Sequence, residues 1–169
     1  MSDDVRKKIE EIARENYQTG YNCTECVFDA LMQAGAIDVP PNALSMCVGF
    51  GGGMGLSGYT CGALAGAAMA IGSVHGRHDI KKLSPEERGA QIPQKYYRRY
   101  NRLVHDFKDA NGAVLCRDLV GDKEWLSPER RGMCQNMIIN TALMAYDYIQ
   151  MPQDEAFALP YRDNMRNLK

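Results

Sequence analysis

Residues 50–72 read FGGGMGLSGYTCGALAGAAMAIG, a glycine-rich run that opens directly into the most apolar segment of the chain. The second half has no strand-like alternation and almost no bulky side chains, with Gly62, Ala63, Ala65, Gly66, Ala67, Ala68 and Ala70 forming a smooth surface. Each interior glycine costs a helix about 1 kcal/mol relative to alanine, and this helix carries Gly62, Gly66 and Gly72. Such a helix needs close approach of a neighbouring helix to offset that cost. It is too short to cross a membrane, which takes about 20 apolar residues. We therefore expect it to be the central, fourth helix of a helical bundle, and a homodimer fits a face this smooth.

Working outward, nearly every other segment also has a helical period. Val5, Ile9 and Ile12 mark the buried side of an amphipathic helix over residues 4–17. Asn22 with Glu25 three residues later reads as a capping box, and the helix after it carries Cys23, Cys26, Val27, Ala30, Leu31 and Ala34 as one stripe. A short helix follows over residues 43–50. Ser84 and Pro85 start a long fifth helix to about residue 110, kinked or split at Pro93, and Ser127 with Pro128 starts the last one, over residues 128–150. The tail, residues 152–169, reads as irregular. The expected fold class is all-α: one domain, residues 1–169, of about six helices.

At 169 residues the chain can bury a core without staples. With 20 basic and 21 acidic side chains, neither nucleic acid nor an anionic membrane is an implied partner. The charged residues 2–11 leave no room for a secretory leader, so a cytoplasmic address with reduced thiols is expected.

Against that background the six cysteines stand out. Cys23, Cys26, Cys47, Cys61, Cys116 and Cys134 fall on different elements, so only the fold can gather them. A metal cluster, a dithiol centre and inert buried thiols all remain open. Cys23 follows the cap Asn22, Cys61 follows Thr60 as a plausible cap, and Cys134 lies in the second turn after Ser127. Thiols near helix N-termini are expected to have lowered pKa values. Other signals are weaker. FGGGMG follows no strand and lacks the Gly-Lys-Ser/Thr ending of a phosphate loop. In residues 95–108, Tyr96, Tyr100, Leu103 and Phe107 form a core stripe, and Arg98, Arg99 and Arg102 a wet face. His75, His78 and His105 have no metal spacing, and no histidine follows Cys26 to make a haem-attachment motif.

Taken together, Tyr21 to Cys23, the residues 50–72 segment, CRDLVG at residues 116–121 and Cys134 resemble the C-GCAxxG-C-C family of redox-active proteins, over residues 21–145. The family's name writes Gly-Cys-Ala where this chain has Cys61-Gly62-Ala63, with the first two exchanged. The resemblance implies a helical redox protein whose motif cysteines are Cys23, Cys61, Cys116 and Cys134. Through the related region of split-Soret cytochromes it also implies an iron–sulfur cluster, without the haem part. On that reading these four thiols ligate the cluster, and Gly51, Gly52, Gly53 and Gly62 let backbone amides reach it. Cys26 and Cys47 lie outside the pattern and are candidates for joining the site. The expected function is electron transfer with a redox partner protein. The alternatives are a metal-free thiol–disulfide oxidoreductase or redox sensor, and a helical interaction protein with buried thiols.

Overall fold

The computed structural model describes residues 2–169, all helix and loop, and among them the only strand-type pairing is an isolated antiparallel bridge between Thr60 and Leu115. Helix α1 (Ser2–Gln18) leads into α2 (Cys23–Gln33), where the Asn22 side chain accepts from the Thr24 and Glu25 N–H groups and Glu25 reaches back to the Asn22 N–H. The expected capping box is thus complete. A 3-10 stretch, Pro41–Phe50, runs into a single turn, α3 (Gly51–Met54), broken by positive φ at Gly52 and Gly53. Then come α4 (Gly62–His75), α5 (Pro85–Gln91), α6 (Tyr97–Asn111), α7 (Cys116–Val120), α8 (Pro128–Gln150) and α9 (Gln153–Ala158).

Helices α1, α2, α4 and α8 pack on one another as the core, with α6 lying against α4 and α8. Ile9, Phe28, Leu31, Ala67, Ile71, Phe107, Ile138 and Ala145 fill the interior. Helix α4 is central, as its composition required. A Cβ added at Gly66 would lie 2.8 Å from the Thr24 carbonyl, so the bare backbone there is what lets α2 come close.

In the second half, the long fifth helix is interrupted at Pro93 as expected, by a π-helical turn, Ile92–Tyr96, because Pro93 supplies no N–H to the α-helical ladder. The tail is not irregular throughout, since Gln153–Ala158 forms α9 with Ala156 buried. Arg99 also departs from the wet face assigned to it. It is buried and donates to the carbonyls of Tyr148 and Met151 and to Gln153 Oε1, while His75 Nε2 meets the Ile149 carbonyl at 2.8 Å. A helix leaves its last carbonyls without internal partners, and at the end of α8 these two side chains provide them.

Candidate metal centre

Four elements each deliver one cysteine to a single, partly open cavity of about 20 Å3: Cys23 from α2, Cys61 at the head of α4, Cys116 from α7 and Cys134 from α8. Gly62, Ala63, Leu119, Val120, Met137 and Ile138 complete the wall, so no carboxylate or imidazole faces the space. The thiols are close enough that Cys61, Cys134 and Cys116 each oppose ionisation of Cys23.

Backbone pairing far along the chain sets this convergence. The Cys61 N–H donates to the Val114 carbonyl at 2.9 Å, and the Cys116 N–H donates to the Tyr59 carbonyl at 2.6 Å. The Thr60–Leu115 bridge therefore locks the entry of α4 to the entry of α7. On the other side, Thr24 Oγ1 donates to the Gly62 carbonyl at 2.8 Å, tying the first turn of α2 to that of α4. Cys61 is itself the N-cap of α4, in place of the Thr60 cap expected from sequence; its side chain makes no cap hydrogen bond, though the backbone N–H groups of Ala63 and Leu64 favour its thiolate.

The glycine loop serves the same centre. The Gly52 N–H favours the thiolate form of Cys23. A Cβ at Gly51 would press on Asn22, one at Gly53 on Cys116 and Tyr59, and one at Gly62 on Thr24 and Cys23. Met54 and Leu56 hold φ values of 66° and 68°, which side chains other than glycine rarely adopt, so the loop is held in a strained shape.

Burial raises the pKa of the cavity thiols, contrary to the lowering expected from helix N-termini. Burial pushes Cys23 up to about 12 and Cys61 up to about 11 from an ordinary value of 9, against the smaller opposing effect of the backbone N–H groups. Cys116 and Cys134 are also raised by burial, with the Arg130 guanidinium opposing it at both. All six cysteines are free thiols. Cys26 and Cys47 do not line the cavity. Both are fully buried, and Cys26 Sγ donates to the Tyr21 carbonyl at 3.6 Å. Sequence reasoning missed Leu119, Val120, Met137 and Ile138 as walls, and it missed Arg130 and Trp125, whose placement depends on the loop between α7 and α8. As the side chains stand, no three His, Cys, Asp or Glu among the described residues are disposed to hold a metal ion.

The sequence profile described as "Putative redox-active protein (C_GCAxxG_C_C)" matches residues 21–148. The chain belongs to this family. Membership in the C-GCAxxG-C-C family covers all four cavity cysteines and leaves α9 and the rest of the tail outside the matched region. An uncharacterized protein of Archaeoglobus fulgidus is 31% identical over 120 residues, which is 69% of this chain and 77% of the relative. No solved structure matches the chain. In this member of the C-GCAxxG-C-C family the exchanged Cys61-Gly62 pair has a local consequence. The cysteine caps α4, and the glycine keeps clear a position where a Cβ would lie 3.1 Å from the Cys23 Cβ. Among the described residues no helix is long and apolar enough to cross a membrane.

Proposed function

We propose that this chain is a cysteine-ligated electron-transfer protein that holds an iron–sulfur cluster on Cys23, Cys61, Cys116 and Cys134. The observation that carries the reading is that four thiols from four separate helices line one cavity that no carboxylate or imidazole enters. The donor set suits the group: soft thiolates select iron–sulfur clusters, whereas carboxylates and water suit harder cations. When bound, the cluster accepts and gives up single electrons.

The chain's own residues would hold and shield it. Ligation exchanges thiol protons for metal charge, which removes both the burial penalty and the mutual repulsion that now keep Cys23 and Cys61 protonated. The N–H groups of Gly52, Ala63 and Leu64 stabilise thiolate charge at those sulfurs. Leu119, Val120, Met137 and Ile138 exclude water. A metal-free oxidoreductase would need at least one thiol held as thiolate at neutral pH, and burial raises all four.

Anaerobic purification tests the reading. Iron and acid-labile sulfide bound to the protein, with visible absorbance bleached by dithionite, are expected. Colourless protein whose thiols react quickly with maleimide would instead mean a thiol oxidoreductase, and colourless protein with unreactive thiols would mean an interaction module.

A further inference from the structure

We infer that Arg130 is a positioning residue that supplies the counter-charge of the cysteine site, held in place by the ring of Trp125. The inference rests on the reading of the four thiols as one redox centre. Arg130 lies four residues before Cys134 on α8, so the two side chains leave the same face of that helix. Its positive charge favours the thiolate form at Cys134 and at Cys116, two of the four cavity thiols.

Two further contacts fix its position. The guanidinium carbon stands 4.2 Å from the centre of the Trp125 ring, and Nη1 donates to the Lys123 carbonyl at 3.4 Å. An aromatic face holds a cation without cancelling its charge as a carboxylate would. Trp125 in turn reaches the glycine loop, where a Cβ at Gly52 would lie 3.2 Å from Trp125 Cη2. Gly52 is the residue whose backbone N–H favours the Cys23 thiolate. Arg130, one turn before Cys134, is thus held on a ring that itself abuts the glycine loop beside the site. One electron entering the centre makes or breaks no bond, but it adds a negative charge beside these thiolates. A fixed guanidinium there favours the reduced form.

The test uses the full chain as wild type, Arg130→Gln, Arg130→Lys and Trp125→Leu. Potentiometric titration of iron-loaded protein with dithionite is expected to give a lower midpoint for Arg130→Gln, a midpoint near wild type for Arg130→Lys, and an intermediate one for Trp125→Leu. A second measurement needs no metal. In metal-free protein, the rate with anionic dithiobis(nitrobenzoate) relative to neutral N-ethylmaleimide is expected to fall several-fold in Arg130→Gln and to persist in Arg130→Lys. Equal midpoints and equal rate ratios in wild type and Arg130→Gln would overturn the inference, as would an Arg130→Lys variant that falls as far as Arg130→Gln. If wild type binds no iron, the cluster reading fails, and the reagent ratio alone decides the role of Arg130.

Discussion

Gly53 faces Cys116 so closely that a Cβ at Gly53 would lie 2.7 Å from the Cys116 Cβ, and equally close to the backbone of Tyr59. The position also has a φ of +72°, in the left-handed region. Gly53→Ala combines overlap with backbone strain, and a loss of about 2–4 kcal/mol is expected. Because Cys116 must move to relieve the contact, bound iron should fall as well. Gly55→Ala is the control: its φ of +59° is also positive, but nothing lies within 4 Å of the added carbon. It should lose only about 1 kcal/mol and keep its iron. Denaturant melts and iron assays on both variants check this.

Gly62→Ala inverts an ordinary rule. Glycine to alanine inside a helix normally gains about 1 kcal/mol. Here the added carbon would meet Thr24 Oγ1 at 2.8 Å, the Phe50 carbonyl at 3.0 Å and the Cys23 Cβ at 3.1 Å. Overpacking of that kind costs about 1–3 kcal/mol, so a net loss is expected in a urea melt. Thr24→Val beside it should lose about 1 kcal/mol, through the missing bond to the Gly62 carbonyl.

Cysteine substitutions separate the cavity set from the other two. Cys61→Ser should abolish bound iron with little change in the melt, because serine is not ionised at neutral pH and ligates iron poorly. Cys47→Ser should keep its iron, since Cys47 lies outside the cavity. Equal loss in the two variants would contradict the assignment.

Cys47 also predicts a pH dependence. Burial pushes its thiol up from 9 to about 11, so above pH 9 the unfolded chain releases this proton before the folded one does. Stability that is complete below pH 9 is then lost as the pH rises towards 11. Urea midpoints measured from pH 8 to pH 11 should fall less steeply for Cys47→Ala than for wild type.

Arg99 gives a prediction about architecture alone. Its guanidinium serves the carbonyls of Tyr148 and Met151 and the Gln153 side chain at once. Arg99→Met leaves buried acceptors without donors at the end of α8, at a cost of about 2–4 kcal/mol. Arg99→Lys, with a point charge in place of a planar fork, should recover only part of that loss. Thermal melts of the two variants against wild type measure the difference.

Local chemistry made much of this fold legible in advance. The boxes at Asn22–Glu25 and Ser84–Glu87 and the Ser127 cap are short-range signals, and each starts a helix where its residues place it. The glycines of α4 disclosed close packing because their local cost needed a tertiary return. The cavity cysteines were legible as a set through their order in the family motif. What sequence hid was long-range. The Thr60–Leu115 bridge joins segments with no local reason to meet, and the burial that overrides the helix N-termini at Cys23 and Cys61 comes from walls supplied by α7 and α8. Arg99 was misread for the same reason: its partners lie at the end of another helix.

The order in which the cavity is assembled has a consequence for biosynthesis. Cys23 and Cys61 meet when α2 and α4 pack, but the enclosure waits for Cys116 and then for Cys134 and the walls Met137 and Ile138, near the start of the last long helix. A nascent or truncated chain that stops short of α8 therefore presents loose thiols to solvent oxidants. Only a finished chain offers them together in one pocket, so on the proposed reading a cluster is loaded after translation, onto a completed fold.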